Sequence, residues 1–120
     1  MATINGPNFI ALQVRELERS AQFYTDIIGL SVAPSSRPDA VVFLTSSIPF
    51  VLRKPLQPIP DGPLGTGMVL WLECDNVGEV YGRLNDAHVP LIEEPTQGPF
   101  GMTFRFQDPD GYTITLHQRA

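Results

Sequence analysis

The sequence predicts an α+β fold in which one βαβββ unit occurs twice in tandem, its strands forming a curved mixed sheet with an open cleft. Three observations indicate this. Each half of the 120-residue chain contains an apolar strand candidate, one amphipathic helix and three further short strand candidates, in that order. The apolar face of the first helix recurs in the second with identical spacing. A segment rich in proline and glycine lies between the halves.

The first half begins with a mostly apolar strand over residues 8–14, and a helix over residues 16–28 follows it. Leu17, Ser20 and Tyr24 lie on one face of this helix, and Gly29 is placed to end it as a C-terminal cap. Three strands are then predicted, over residues 30–33, 40–45 and 50–53. One such unit exposes a sheet face that it cannot cover alone, so we expect the two units to pair.

The second half repeats this order, with a strand over residues 68–74 and either Asp75 or Asn76 as the N-cap of a helix. The apolar face of that helix carries Val77, Tyr81 and Leu84. Strands follow over residues 89–92, 102–107 and 113–117. Because helix face, preceding strand and following strands all recur in order, a tandem repeat is favoured over an α+β domain that has two helices by chance.

The 12 prolines mark the loops, since proline cannot donate a hydrogen bond to a ladder. Their densest run, over residues 54–67, predicts a linker within a single domain, residues 1–120. That domain then contains two modules, about residues 7–54 and 67–118. A second run, over residues 95–101, precedes a cleft strand and predicts a lid that places Phe100 over a ligand.

Composition excludes several classes of function. Eight Lys and Arg against 13 Asp and Glu give a net charge of −5, which is the wrong sign for a nucleic-acid binder. No apolar run approaches the roughly 18–20 residues that span a bilayer, and no signal peptide is evident at the start. The single cysteine, Cys74, excludes an internal disulfide and multi-thiolate metal sites. We therefore expect a cytoplasmic domain without a membrane or nucleic-acid partner.

Two motifs resemble those of the vicinal oxygen chelate superfamily. Residues 9–24 (FIALQVRELERSAQFY), with Ile28-Gly29-Leu30 after them, resemble its opening, and residues 104–111 (FRFQDPDG) with Thr113-Ile-Thr-Leu resemble its strand–turn–strand ending. The superfamily includes glyoxalase I, extradiol dioxygenases, fosfomycin-modifying enzymes and metal-free bleomycin and mitomycin resistance proteins. The resemblance implies the glyoxalase/bleomycin-resistance fold. It also implies a homodimer, with modules paired within one chain or exchanged between two.

Strand parity predicts which side chains face the cleft, because alternate residues of a strand point to opposite faces of its sheet. Ile10, Leu12 and Val14 are the apolar alternates beside the first helix, so the other alternates face the cleft. With the lid residue, the predicted ligand-binding set is Phe9, Gln13, Val51, Arg53, Val69, Trp71, Glu73, Phe100, Arg105, Thr115 and His117. Trp71, the only tryptophan, fits either the cleft or the core. No catalytic residue is assigned.

The metal-dependent members of the superfamily place His, Gln or Glu ligands at four points, which in this chain are Phe9, Val51, Val69 and Thr115. Three of these side chains are hydrocarbon and the fourth is a neutral hydroxyl, a poor ligand for a divalent ion. The resemblance therefore implies no metal and no other cofactor, and the chain is closest in character to the metal-free antibiotic-binding members.

The leading hypothesis is metal-independent binding or sequestration of a small aromatic organic molecule, with Trp71 as a surface on which it stacks. Glu73 would then pair with Arg53 or Arg105, or recognise the ligand. The alternative is an enzyme of the same superfamily, a glyoxalase-like lyase or isomerase or a relative of the dioxygenases. A ligand-sensing module within a larger system is a third reading.

Overall fold

The computed structural model describes residues 2–118, and the chain divides into a first unit that ends at Ile59 and a second unit that begins at Pro60. The first unit contains β1 (Ile10–Gln13), α1 (Leu17–Gln22), β2 (Ser31–Val32), β3 (Ala40–Leu44) and β4 (Phe50–Arg53). Its sheet has the order β1-β4-β3-β2, with β1 parallel to β4 and the other pairs antiparallel.

The second unit contains β5 (Leu70–Glu73), α2 (Val77–Asp86), β6 (Thr96–Gly98), β7 (Gly101–Gln107) and β8 (Thr113–Gln118). Its strand order, β5-β8-β7-β6, repeats that of the first unit. The parallel pairs also correspond between the units. Ala11, the second residue of β1, lies opposite Val51 of β4, and Trp71, the second residue of β5, lies opposite Thr115 of β8. In the part of the chain that the structure describes, two helices and two four-stranded mixed sheets confirm the predicted α+β class. No helix within residues 2–118 is long and apolar enough to cross a membrane.

The core of the first unit forms around Tyr24, which is fully buried. Its ring lies 5.1 Å from those of both Phe23 and Phe50 and 6.0 Å from that of Phe43. The predicted helix changes character here, since residues Phe23–Ile28 form a π-helix that continues α1. Two consecutive aromatic residues, Phe23 and Tyr24, are buried at the start of this π-helix, and Gly29 ends it at φ 94°.

The core of the second unit lies between α2 and β7–β8. Tyr81 of α2 makes an edge contact with Phe104, which is fully buried, at a ring distance of 5.2 Å. The N-cap of α2 is Asn76, not Asp75, since Asn76 Oδ1 accepts a hydrogen bond from the Glu79 amide at 3.0 Å. This bond satisfies one of the amides that the first helical turn leaves unpaired.

The Asp-Pro-Asp-Gly motif forms a tight turn between β7 and β8, as predicted. Asp108 Oδ1 accepts hydrogen bonds from the amides of Asp110 and Tyr112 at 2.9 and 3.0 Å. Gly111 has φ 83°, and a Cβ there would lie 2.7 Å from Pro63 Cα. The later part of the predicted linker therefore packs against this turn inside the second unit, and the amide of Leu64 donates to Asp110 O at 3.3 Å.

The prediction of a strand over residues 89–92 is wrong. This segment touches β7 through one bridge, Leu91 to Phe106, and two hydrogen bonds, from the Ile92 amide to Arg105 O and from the Gln107 amide to Pro90 O. Pro90 has no amide proton, so a regular ladder does not form there. Strand β6 lies later, inside the predicted lid segment, and Pro99 and Phe100 form the two-residue turn between β6 and β7.

We expect Asn76→Ala to lower the free energy of unfolding by about 1 kcal/mol, because the Glu79 amide loses its partner. Urea denaturation followed by circular dichroism measures this. Asp75→Ala is the matched control, since the Asp75 side chain has nearly the same shape as that of Asn76 but does not cap the helix. An equal loss in both variants would contradict the assignment of the cap.

Candidate functional site

The sheet of the second unit has one face covered by α2 and one face that α2 leaves open. Phe104 lies on the covered face, against Tyr81. Leu116 and Leu72 are its cross-strand neighbours on β8 and β5, so they share that face. Residues one position away point to the opposite side. We call that side, which carries Trp71, Thr115 and Arg105, the open face.

Two rows of side chains cross the open face. In the first, Trp71 of β5, Thr115 of β8 and Arg105 of β7 lie side by side, and Thr115 is buried at its centre. Because neighbouring strands are about 4.8 Å apart, the backbone positions of Trp71 and Arg105 are separated by roughly 10 Å. The second row joins Glu73, His117 and Thr103.

An exposed aromatic cluster stands at the β5 side of this face. The Trp71 ring is 5.1 Å from the His117 ring and 6.2 Å from that of Phe100, with both contacts edge-on. Trp71 is 42% exposed and Phe100 is 66% exposed. The structure thus places Trp71 on the open face and not in the core. The β6–β7 turn brings Phe100, the predicted lid residue, against the indole.

His117 contributes a polar atom to this cluster. Its Nδ1 is buried and has no hydrogen-bond partner among the residues that the structure describes. A buried polar atom without a partner carries a free-energy cost. The imidazole ring is held in this position by its contact with Trp71 and by the place of His117 within β8. His117 lies inside β8. Its backbone carbonyl oxygen accepts a hydrogen bond from the amide of Cys74, the residue after β5, at 2.9 Å.

A cavity of about 260 Å³ opens beside the first row. Thr113 and Thr115 of β8 line it, together with Val69 and Arg105. Residues 63–68, which the turn at Gly111 holds in place, form its remaining wall. The cavity therefore combines hydroxyl, methyl and backbone surface, and it lies on the same face as the aromatic cluster.

Arg105 forms a bidentate ion pair with Glu93, a residue that the sequence reasoning missed. Arg105 Nε and Nη2 donate to the two carboxylate oxygens of Glu93 at 2.9 and 2.8 Å. The hydrogen bond and charge of Arg105 lower the pKa of Glu93, and Glu93 in turn raises the pKa of Arg105. The partner considered from the sequence was Glu73. Pairing of Ile92 with Arg105 explains the difference, because it brings the following residue, Glu93, beside the guanidinium.

The predicted site residues of the first unit share the sheet face opposite α1. Phe9 precedes β1, and Gln13 of β1 lies opposite Arg53 of β4. Val51 is buried on this face while Phe9 is 56% exposed. Both polar side chains contact their own unit: Gln13 Oε1 accepts from the Leu56 amide at 2.8 Å, and Arg53 Nε donates to Lys54 O at 3.2 Å.

The first unit also contains a larger hollow, of about 1120 Å³, between the start of α1 and residues 54–58. Side chains of both charges line it, including Arg15, Glu16, Glu18, Arg19 and Lys54. No aromatic ring lines this hollow. The exposed rings of Trp71 and Phe100 on the open face of the second unit offer a flat organic molecule more to stack on.

The four positions that hold metal ligands in metal-dependent superfamily members do not form a donor set here. Phe9 and Val69 precede the first strand of each unit, while Val51 and Thr115 are the matching residues of β4 and β8. Only Thr115 carries an oxygen. Within residues 2–118, no three His, Cys, Asp or Glu side chains are grouped so that they could hold a metal ion. The residues present do not fit a divalent cation.

The sequence matches the family model of the Glyoxalase/Bleomycin resistance protein/Dioxygenase superfamily over residues 6–116. No curated protein matches it significantly.

Three solved structures illustrate the similarity of fold. TnmS3, an antibiotic binding protein from Streptomyces sp. CB03234, is 23% identical with a TM-score of 0.79, and the match covers 100% of both chains. A lactoylglutathione lyase from Agrobacterium tumefaciens is 22% identical with a TM-score of 0.72, over 98% of this chain and 96% of the other. Virulence protein STM3117 from Salmonella typhimurium is 19% identical with a TM-score of 0.75, over 99% and 100%.

The ion pair on the open face predicts a contribution to stability that depends on pH. Because the folded pKa of Glu93 lies below its unfolded value, the pair stabilises the fold above the ordinary glutamate pKa of about 4.3 and is lost as the pH falls through the folded value. Both groups are largely solvated, so we expect Glu93→Gln to cost about 0.2–1 kcal/mol at neutral pH. Urea denaturation across an acidic pH series should show this difference vanishing. A difference in unfolding free energy between the wild type and Glu93→Gln that persists in strong acid would contradict the stabilising role of the ion pair.

A second prediction concerns Cys74, which directly follows β5. Burial raises the pKa of its thiol, with the neighbouring Asp75 and Glu73 carboxylates acting in the same direction. Since the thiolate is the reactive form, we expect a disulfide reagent such as DTNB to react more slowly with the folded protein than with the urea-unfolded chain. The folded rate should keep rising above pH of about 8.5, the ordinary thiol pKa. Equal reaction rates for the folded and the unfolded protein would contradict the protection of the thiol by burial.

Proposed function

The chain belongs to the Glyoxalase/Bleomycin resistance protein/Dioxygenase superfamily, and we propose that it binds a small planar aromatic molecule on the open face of its second unit, without a metal ion. The observation that carries this proposal is the pair formed by Trp71 and Phe100, two large exposed rings held edge-on on the open face, where Thr115 separates Trp71 from the cavity.

The two exposed rings contribute little to the stability of the fold. The core of the second unit is complete without them, since Phe104, Phe106 and Ile114 are buried on the other face. Exposed aromatic side chains that adjoin one another and a concavity are typical of ligand-binding surfaces. A flat ligand can stack on the indole while its edge meets Phe100. Each such aromatic contact contributes about 0.5–1.5 kcal/mol beyond the burial of apolar area.

The size of the cavity limits the ligand. At about 260 Å³ it falls below the range of roughly 300–1,000 Å³ that is usual for drug-sized molecules. The cavity therefore does not hold the whole ligand. A bicyclic aromatic compound stacked on Trp71 extends across Thr115, the next side chain in the row, and only its far end reaches the cavity.

The donor set and the similar structures agree with this proposal. Phe9, Val51 and Val69 offer no ligand atom at the positions used by metal-dependent members, so no Lewis acid is available there to stabilise an enediolate or activate dioxygen. TnmS3, which shares the fold, is an antibiotic binding protein. The homodimer and the cytoplasmic location that the sequence suggested remain predictions.

The alternative is a lyase, because one similar structure is a lactoylglutathione lyase. Protein purified without a chelator distinguishes the two proposals. We expect substoichiometric nickel, zinc, manganese and iron, and no formation of lactoylglutathione when these ions are added. Stoichiometric metal together with turnover would contradict the binding proposal.

Isothermal titration with 2-naphthol, quinoline and acridine in the presence of a chelator tests binding itself. We expect Trp71→Ala to weaken the tightest of these complexes roughly tenfold and Phe100→Ala to weaken it severalfold, because each loses one ring contact. Leu56→Ala is the matched control, since Leu56 is 67% exposed in the first unit. Circular dichroism confirms that the variants fold. Unchanged affinity in Trp71→Ala, or no binding of any probe at millimolar concentration, would contradict the proposal.

A further inference from the structure

The row Trp71–Thr115–Arg105 sets what an aromatic ligand meets beyond the indole. A ring stacked on Trp71 and extending over Thr115 reaches toward the guanidinium of Arg105, because the two ends of the row are roughly 10 Å apart. Arg105 also lines the cavity beside Thr115. A free arginine in this position would favour a ligand with a carboxylate.

Arg105 is not free. Both oxygens of Glu93 are held by its Nε and Nη2, in the planar two-bond arrangement that matches guanidinium to carboxylate. The pKa of Glu93 is lowered and that of Arg105 is raised, so the pair stays ionised at neutral pH and its net charge is zero. Glu93 thus takes two of the five guanidinium donors and neutralises the charge that would attract an anionic ligand.

A carboxylate ligand therefore gains little from Arg105. The pair has no net positive charge to attract it, and the carboxylate of Glu93 lies close to the ligand with like charge, whether the ligand displaces Glu93 or uses the remaining donors. An uncharged ligand meets no such repulsion and leaves the pair intact.

We infer that Glu93 is a specificity-determining residue that directs the open face toward uncharged aromatic ligands by neutralising Arg105. This inference rests on the proposed function and adds the charge class of the ligand.

The test compares 2-naphthol with 2-naphthoate, two probes with the same ring system that differ in charge at neutral pH. We expect the wild-type protein to bind 2-naphthol about tenfold more tightly. Glu93→Gln should raise the affinity for 2-naphthoate about fivefold to tenfold, with little change for 2-naphthol, because Arg105 becomes available. Isothermal titration at fixed ionic strength measures all four affinities.

Two controls isolate the role of Glu93. Glu94→Gln changes the net charge of the chain by the same amount, but Glu94 is exposed and is not the partner of Arg105. We expect it to leave the ratio of affinities unchanged. Glu93→Gln combined with Arg105→Met should lose the gain for 2-naphthoate, since the gain acts through the guanidinium.

The outcomes separate this inference from the proposed function. If the wild-type protein binds both probes equally, or if Glu94→Gln produces the same gain as Glu93→Gln, the inference is wrong and the binding proposal stands. A gain that survives Arg105→Met also overturns the inference. If neither probe binds the wild-type protein or any variant, the proposed function is wrong and the inference falls with it.

Discussion

In each unit the first strand runs parallel to the last, and the register of that pair decides which side chains the helix covers. Leu12 and Leu52 form one such pair on the helix side of the first unit, and Leu72 and Leu116 are their counterparts in the second. A shift of one residue would turn every side chain of these strands to the opposite face. The buried aromatic rings, Tyr24 in the first unit and Phe104 under α2, are fully enclosed in the observed register, and a shift would break that packing.

The open face of the second unit is the other consequence of that register. Once Leu72 and Leu116 are covered, Trp71, Thr115 and His117 must point away from the helix. The Asp108 turn and Gly111 then hold residues 63–68 against this face and complete a cavity. The elements that stabilise the fold therefore also form the candidate site, and changes to the turn should affect both.

Most of the architecture followed from periodicity, because the spacing of Leu17, Tyr24, Val77 and Leu84 reports the helix faces directly. The misplaced strand shows the limit of that method. Val89–Ile92 is as apolar as a strand, but its proline prevents a ladder, whereas β6 is formed by polar residues whose pairing depends on the turn at Phe100. Glu93 was missed for the same reason, since its position beside Arg105 depends on backbone pairing between distant segments. Trp71 was ambiguous because core and open-face parity differ by one residue.

The central claim is that a planar aromatic ligand occupies the open face of the second unit. An NMR titration with 2-naphthol tests it most directly, because Trp71 is the only tryptophan and gives a single indole N–H signal. We expect that signal and the amides of Thr115 and His117 to shift together along one binding curve, while the amides of Glu79 and Leu84 on the far side of the sheet stay in place. Shifts confined to residues 15–19 and 54–58, which line the hollow of the first unit, with the indole signal unmoved, would contradict the account.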